Sequence, residues 1–317
     1  MVRKHTRRAA KAAFAVSLGV ALLIGLVACG GGKKKTTTST PAGGSMPKVI
    51  LGSKNFPEEE LLGQLYGQAL QVKGFPVSYK PSIGSSELID TAITSGKINV
   101  YPEYVGEIDQ TVFHKTTLPK TAKGWWQLAV TLNKKRGITV LNPTPFFDVD
   151  AIAVRKADAV KYGLKTVADL KKVPNASVGA RPEFKDREEG FKGMQDVYGL
   201  TGMKYVSLDQ GLTYQALDQK KVFSIDVFST DPQLASGKYV VLKDPKLIFG
   251  VQNVAPEVSN KLLTALGSKA ALLKSTLNKV DAKLTQKAIL AMNSAVVNNK
   301  QTPKAVASAF LKANGLA

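Results

Sequence analysis

The chain has 317 residues, of which 44 are Lys or Arg and 24 are Asp or Glu, and its formal net charge is +20. Five of the basic residues and none of the acids fall in the first 11 residues, so 39 basic residues face 24 acids in the remainder, a charge of +15. Such a charge attracts polyanions. However, the lysines are scattered and no basic–aromatic recognition motif accompanies them. We therefore predict that nucleic acid is not a partner.

The first 28 residues have the pattern of an export signal. A basic segment, residues 1–11, precedes an almost wholly apolar run, residues 12–28. A basic segment followed by an apolar one is typical of a secretory signal peptide. The apolar run is at or below the minimum length of a membrane-spanning helix. We predict that residues 1–28 are a signal peptide, and a permanent membrane span is the alternative.

A lipid attachment site follows the apolar run. Leu26-Val27-Ala28-Cys29 resembles a bacterial lipobox, in which the cysteine is lipidated and becomes the first residue of the mature protein. Cys29 is the only cysteine of the chain, so it has no partner for an intrachain disulfide. The next segment is rich in Gly, Lys, Thr and Ser and buries too little apolar surface to offset its ordering entropy. We predict that residues 29–47 are a lipid-anchored flexible tether, which holds the protein on the extracytoplasmic face of a bacterial cell membrane.

The first part of the folded body alternates between strand and helix patterns. It reads strand, helix, strand, helix, strand, at residues 49–51, 58–70, 77–80, from 86 onward and 98–100. This order predicts an α/β domain with a largely parallel sheet.

Two tyrosines follow the third of these strands. Pro102 and Gly106 predict a turn directly after it. Ligands of open α/β sheets bind outside the carboxyl ends of the strands. Aromatic faces in that place can hold an apolar or cationic ligand. Tyr101 and Tyr104 are therefore candidate ligand contacts, with packing at the domain edge as the alternative.

A second α/β pattern begins at residue 150 and ends near residue 251. Its strands are predicted at residues 151–154, 176–179, 222–228 and 239–242, and a helix starts at about residue 188. From residue 252 the chain reads as four helices, at residues 257–266, 269–278, 284–298 and 303–316. These helices have no sheet of their own, so we predict that they pack on the first part. Residues 48–149 and 252–317 then form lobe I and residues 150–251 form lobe II, and the two chain crossings between them form a hinge.

The chain lacks the residue patterns of an enzyme. His114 has no Cys, His or acid at metal-ligand spacing, and His5 is part of the predicted signal peptide. No Gly-x-Ser-x-Gly elbow, phosphate loop or dinucleotide fingerprint is present. We predict no catalytic residue, no metal and no cofactor.

A set of short motifs resembles one known family. They are Gly52-Ser53-Lys54-Asn55-Phe56, Gly84-Ser85-Ser86-Glu87, residues 95–104, Tyr162-Gly163-Leu164, Arg181-Pro182-Glu183-Phe184, Tyr214-Gln215-Ala216-Leu217 and Phe228-Ser229-Thr230-Asp231-Pro232. In this order they resemble the substrate-binding proteins of glycine betaine/choline-type ABC importers, and the resemblance covers residues 48–317. It implies a type II periplasmic-binding-protein fold of two lobes, each a mainly parallel sheet flanked by helices, joined by a two-segment hinge. It also implies a receptor that delivers one solute to an ABC permease, and we expect a monomer.

The resemblance also implies a ligand site. A trimethylammonium group has no hydrogen-bond donor and is held by aromatic faces, whereas a carboxylate needs charge-assisted donors. Tyr104 and Tyr214 match cage-tyrosine positions, one from each lobe, and Lys54 matches a carboxylate-binding lysine. Arg181 is the candidate for the carboxylate-binding arginine, and Arg187 is the less favoured one.

Three positions depart from the family pattern. Asp150 stands where a cage tyrosine is frequent, Gln252 begins a segment where another aromatic is frequent, and Glu107 follows a turn in which a threonine is frequent. Asp150 and Glu107 can pair with a cation or accept the hydroxyls of a different solute. We expect an osmoprotectant such as glycine betaine, choline or carnitine. The alternatives are a different small polar solute in the same fold, which is favoured if Asp150 and Gln252 line the cleft, and a surface adhesin or scaffold that binds no solute.

Overall fold

The computed structural model describes residues 46–317, and residues Ser45–Ala317 form one compact unit. The predicted signal peptide, the lipidation site Cys29 and most of the predicted tether lie outside the described residues. Within the described part, no helix combines the length and the apolar character needed to cross a membrane.

Ten strands and ten α-helices are the main regular elements of residues 46–317. The strands are β1 (Val49–Gly52), β2 (Val77–Lys80), β3 (Val100–Tyr104), β4 (Ile138–Val140), β5 (Asp150–Arg155), β6 (Ser177–Ala180), β7 (Lys204–Ser207), β8 (Ser224–Phe228), β9 (Tyr239–Leu242) and β10 (Val254–Ser259). The helices are α1 (Pro57–Val72), α2 (Ser86–Thr94), α3 (Ala122–Lys134), α4 (Lys156–Tyr162), α5 (Phe191–Tyr198), α6 (Thr213–Asp218), α7 (Asn260–Leu266), α8 (Ala270–Asp281), α9 (Gln286–Val297) and α10 (Pro303–Ala313).

The strands form two five-stranded sheets, with the orders β2-β1-β3-β10-β4 and β7-β6-β8-β5-β9. The prediction of an α/β fold with mainly parallel sheets is confirmed, and each sheet is mixed because one of its five strands runs against the other four. In the first sheet β10 is antiparallel to β3 and β4, and in the second sheet β5 is antiparallel to β8 and β9. The antiparallel strand of each sheet is thus the one that follows a crossing of the chain between the sheets.

The structure corrects two expectations about the strands beside this crossing. Strand β3 continues through Pro102, where a turn was expected, and β10 occupies residues that were read as the start of a helix. Pro102 faces Pro256 across the β3–β10 pair. Because the Val105 N–H donates to the Asn253 carbonyl three positions further on, the two prolines fall at a pair that exchanges no ladder bonds. Their missing N–H groups therefore leave the β3–β10 ladder intact.

The C-terminal helices pack on the first sheet together with α1. Leu273 and Leu277 of α8 and Leu311 of α10 share one buried cluster with Leu61 and Leu65 of α1. Helix α1 buries most of its length in this way, and its Tyr66 hydroxyl donates to the buried Asp281 carboxyl of α8 at 2.6 Å. The second sheet has its own core on its two faces. Each sheet is therefore the centre of a separate hydrophobic lobe.

We predict that Leu277→Ala lowers the free energy of unfolding by about 2–5 kcal/mol, because it opens a cavity in a fully buried position of the first lobe. The matched control is Leu290→Ala on α9, where the side chain is 38% exposed and the expected change is within about 0.5 kcal/mol. Denaturant unfolding of both variants measures the difference. Equal losses would mean that the C-terminal helices are not part of the core.

We also predict that Glu257 makes the protein less stable at alkaline pH. Glu257 lies on β10, is buried and accepts a hydrogen bond from Asn133. Burial, followed by the Glu103 carboxylate, raises the pKa of Glu257 from 4.5 to about 8. Between pH 4.5 and about pH 8 the folded protein therefore retains a proton that the unfolded chain releases. The free energy of unfolding consequently falls as the pH rises through this range.

Glu257→Gln should consequently be more stable than the unchanged protein at pH 8 and similar to it at pH 4.5. Unfolding in denaturant at the two pH values measures this difference. An unchanged pH dependence would show that Glu257 titrates normally in the folded protein.

Candidate functional site

A cavity of about 40 Å³ lies where the two sheets face each other. Its walls come from residues that follow β1, β3, β6 and β8, together with the first turn of α2 and the two crossing segments. The carboxyl ends of parallel strands from both sheets therefore meet at this place, which is where open α/β sheets bind ligands.

Three aromatic rings converge on the cavity from both lobes. Phe56 follows β1, Tyr104 ends β3 and Phe228 ends β8. The Phe56 ring centre lies 6.2 Å from that of Tyr104 and 5.1 Å from that of Phe228. The Tyr104 hydroxyl donates to Glu58 at 2.7 Å, which fixes its ring in place. The site thus presents a continuous aromatic surface that spans the two lobes.

Lys54 places a buried ammonium against this surface. Its Nζ lies 4.4 Å from the Tyr104 ring centre and 2.5 Å from Oε1 of Glu103, and it donates to the Ser86 hydroxyl at 3.1 Å. Burial alone would lower the pKa of Lys54, but the carboxylates of Glu103, Glu59 and Glu107 raise it above its usual value. Lys54 is therefore a charged group whose position is set by the protein.

Arg181 is held by carboxylates of its own lobe. Its two terminal nitrogens donate to the two oxygens of Asp150 at 2.8 and 2.9 Å, and one of them also donates to Asp226. The guanidinium carbon lies 5.3 Å from the Phe228 ring centre. Burial would lower the pKa of Arg181, but Asp150 and Asp226 raise it. These carboxylates engage both terminal nitrogens of the guanidinium.

Arg187 connects the two lobes. It comes from the segment before α5, and its side chain pairs with Glu107 at 3.1 Å and with Glu87 at 3.0 Å, both on the first lobe. Burial would raise the pKa of Glu107, but Arg187, followed by Lys54 and Arg181, lowers it to about 2. Glu107 is therefore ionised at neutral pH. Its ion pair with Arg187 joins the two lobes.

A second link between the lobes lies on the other side of the aromatic rings. The Thr230 hydroxyl, which follows β8, donates to Glu58 of α1 at 2.7 Å, and the Asn293 amide of α9 donates to the same carboxyl oxygen at 2.6 Å. Asp148 accepts the Thr230 N–H at 3.0 Å. Burial raises the pKa values of both Glu58 and Asp148.

Of the nine side chains considered for a ligand site, seven line the same cavity, namely Lys54, Tyr104, Glu107, Asp150, Arg181, Arg187 and Gln252. Tyr101 is instead fully buried in a hydrophobic cluster of the first lobe. Asp150 and Gln252, whose orientation the sequence leaves open, are thus both in the wall. The Gln252 side-chain oxygen accepts the Glu107 N–H at 3.2 Å. A Cβ at Gly106 would lie 2.6 Å from this oxygen, so a larger residue there would displace the Gln252 side chain from its present position.

Tyr214 does not lie with these seven side chains. Its hydroxyl donates to Asp231 at 2.9 Å and its ring packs edge-on against Tyr239, 5.2 Å away. It lines a neighbouring cavity of about 500 Å³ instead. Phe228, rather than Tyr214, is the aromatic ring that the second lobe contributes to the smaller cavity.

The sequence reasoning missed Phe56 and Phe228 as contributors of aromatic surface. Phe228 is the last residue of β8, as Tyr104 is of β3, so the same rule about carboxyl ends of strands would have found it. Among residues 46–317 no group of three His, Cys, Asp or Glu side chains is arranged to hold a metal ion.

Comparisons with known proteins agree on one family. The family described as the substrate binding domain of ABC-type glycine betaine transport systems matches residues 47–313. The glycine-betaine-binding protein of Pseudomonas aeruginosa is 31% identical over 278 residues, which cover 84% of this chain and 88% of that protein. The glycine betaine-binding protein YehZ of Escherichia coli is 28% identical, over 84% of this chain and 90% of that protein. A crystal structure of a glycine betaine/carnitine/choline ABC transporter protein superimposes with a TM-score of 0.66 and 25% identity, covering 84% of this chain and 99% of that one.

We predict that Glu103→Gln destabilises the protein by about 3–5 kcal/mol, because it leaves the buried Lys54 ammonium without its nearest anion. Adding Lys54→Met to this variant removes the unpaired charge and should restore most of the stability. Denaturant unfolding without solute tests both variants. A single variant as stable as the unchanged protein would show that Glu103 does not balance the lysine.

Proposed function

The chain belongs to the family of substrate-binding domains of ABC-type glycine betaine transport systems, and we propose that it captures a quaternary-ammonium osmoprotectant of the glycine betaine, choline or carnitine type. It is a two-lobed solute receptor of the type II periplasmic-binding-protein class. Its partner is the ABC permease that receives the solute. Closure of the two lobes around the hinge encloses the solute in the smaller cavity.

The aromatic surface of Phe56, Tyr104 and Phe228 is the observation that carries this proposal. A trimethylammonium group cannot donate a hydrogen bond. Hydrogen-bond acceptors in a polar pocket therefore do not compensate the cost of removing it from water. Aromatic faces attract it through their quadrupoles and through dispersion. Rings from both lobes reach the solute only when the lobes are closed, so solute binding favours closure.

Two donors are available for the carboxylate of a betaine. Two N–H groups of the Lys54 ammonium donate to Glu103 and Ser86, and the third N–H is available to a solute. The Gln252 side-chain oxygen accepts the Glu107 N–H, and the Gln252 amide N–H₂ group is available to a solute. Arg181 donates three of its five N–H groups to Asp150 and Asp226, carboxylates of its own lobe. We assign the carboxylate to Lys54 and Gln252, and to Arg181 the role of positioning Asp150.

The acidic side chains of the lining are compatible with a zwitterionic solute. Asp150 is matched by Arg181 and Glu107 by Arg187, each through a direct ion pair. Neither carboxylate is thus an unbalanced charge that would repel a betaine carboxylate. Asp150 and Gln252 both line the cavity, which is the arrangement expected for a different polar solute. Because Asp150 is already paired with Arg181, we nevertheless favour a zwitterionic quaternary amine, and the enclosed site argues against an adhesin without a solute.

The sequence before the described residues supports a membrane-bound receptor. We infer that the chain is exported, cleaved before Cys29 and lipidated there, so that a short tether holds a monomeric receptor near its permease. A segment of this composition behaves as a flexible coil. It keeps the receptor close to the membrane and allows it to rotate onto the permease.

We predict that the body, residues 46–317, is stabilised by glycine betaine, choline or carnitine and not by glycine. Glycine has the ammonium and the carboxylate of glycine betaine but lacks its methyl groups, so it is the matched control for the aromatic surface. A solute at 100 times its Kd adds about 2.7 kcal/mol to the free energy of unfolding, which a thermal-shift assay detects. Stabilisation by glycine alone, or by none of the quaternary amines, would refute the proposed function.

We further predict that Phe228→Ala and Phe56→Ala each weaken binding of the stabilising quaternary amine by about 1–2 kcal/mol, because each removes a desolvated aromatic face. Phe223→Ala is the matched control. Phe223 directly precedes β8, at the opposite end of the strand from Phe228, and packs against Tyr162. Calorimetric titration compares the three variants. A similar loss in Phe223→Ala would show that the effect reports on the fold and not on the site.

A further inference from the structure

We propose that Glu189 is a positioning residue for closure of the two lobes. It enters the closed interface as a neutral acid and donates a hydrogen bond to Thr111, which in turn donates to Glu107 in the cavity wall. Closure therefore takes up one proton from the solvent. The inference rests on the proposed function, since solute binding favours closure, and it makes the affinity for the solute higher at acidic than at neutral pH.

Thr111 places one hydroxyl between two carboxyl groups from opposite lobes. Thr111 and Glu107 belong to the π-helical turn Glu107–Val112 of the first lobe, and Glu189 lies just before α5 in the second lobe. The Thr111 oxygen is 3.1 Å from one oxygen of Glu107 and within hydrogen-bond distance of one oxygen of Glu189. All three side chains are buried. The contact between Thr111 and Glu189 therefore joins the two lobes.

The number of protons in this arrangement requires one neutral carboxyl group. A hydroxyl has one proton and donates to one carboxylate, while its oxygen can accept a further hydrogen bond. If both carboxyl groups were ionised, one of them would face the Thr111 oxygen with no proton between the two atoms. A proton on one carboxyl group completes the chain, because that group then donates to Thr111 and Thr111 donates to the other.

Arg187 determines which carboxyl group carries the proton. Its Nη1 atom lies 3.1 Å from Glu107, whereas its Nε atom lies 3.8 Å from Glu189, beyond hydrogen-bond distance, and donates to Glu87 instead. Glu107 and Arg187 are the charged groups nearest to Glu189 among the described residues. Burial, followed by the Glu107 carboxylate, raises the pKa of Glu189 to about 7, although Thr111 and Arg187 lower it. Glu189 is therefore the neutral member of the pair.

Opening of the lobes reverses this change. It separates Glu189 from Thr111 and Glu107, so the pKa of Glu189 returns toward its usual value of 4.5. Because the closed protein has the higher pKa, protonation of Glu189 favours closure fully below pH 4.5. This contribution is lost as the pH rises to about 7.

Calorimetric titration of the body, residues 46–317, with choline, glycine betaine and carnitine tests the inference. The charges of these solutes do not change between pH 6 and pH 8. Titrations in two buffers that differ in ionisation enthalpy give the number of protons taken up with each solute. We expect about one proton at pH 6 and hardly any at pH 8, with an affinity about tenfold lower at pH 8.

Glu189→Gln assigns the proton to this residue. The glutamine amide is neutral at both pH values and can donate to Thr111 in place of the protonated acid. The variant should bind without proton uptake and with the same affinity at pH 6 and pH 8. Glu188→Gln is the matched control, because Glu188 is exposed and pairs with Lys192 of its own lobe. It should take up the same number of protons as the unchanged protein.

The outcomes separate this inference from the proposed function. Solute binding without proton uptake at pH 6 would overturn the inference alone. Uptake that persists in Glu189→Gln would also overturn it, because another group, such as Glu58 at the second link between the lobes, would then take up the proton. Loss of folding or of binding in Glu189→Gln would contradict it as well, since a neutral amide replaces a neutral acid. Absence of binding by all three solutes would overturn the proposed function and this inference together.

Discussion

Buried charge is the constraint on which the cleft depends. Lys54, Arg181 and Arg187 are all nearly excluded from solvent, and a buried ion without a counter-ion costs several kcal/mol. Each is therefore paired with at least one carboxylate, and the partners of Arg187 lie on the opposite lobe. Since the pairs of Arg187 with Glu87 and Glu107 cross between the lobes, charge pairing ties the chemistry of the site to the relative position of the lobes.

The same pairing bears on how the proposed site, with few tyrosines, would receive a quaternary amine. Asp150 stands at a position where the family often has an aromatic residue, but it binds the Arg181 guanidinium, which lies 5.3 Å from the Phe228 ring. A guanidinium is planar and delocalised and stacks on aromatic faces. Arg181, fixed by its carboxylates, therefore lies beside the Phe228 ring in the wall of the same cavity. In the proposed site an ion pair and a phenylalanine thus take the place of a tyrosine.

Local sequence patterns were sufficient to predict those elements whose apolar spacing is visible within the element itself. Strand β9 matches its predicted range, and α1 follows the predicted apolar spacing. Strand β10 was missed because Pro256 and Glu257 are poor strand residues by themselves, and only pairing with β3 and β4 makes them a strand. Tyr104, in contrast, could be predicted because it lies at the end of a strand that its own local sequence indicates. The position of Tyr214 depends on contacts with Asp231 and Tyr239, which the local sequence does not reveal.

The order of the strands also determines when each lobe can be completed. All strands of the second sheet come from one continuous stretch, β5 to β9. In the first sheet, β10 lies between β3 and β4 and follows β3 by roughly 150 residues. Contacts of such long range are slow to form, and until then β3 and β4 expose unpaired edges. The second lobe can therefore fold while the first is unfinished, and its folding brings the ends of the long connection close together. The lobe that starts first in the sequence is thus the last to become stable, and its unpaired edges are the part of the newly made chain most in need of protection from aggregation.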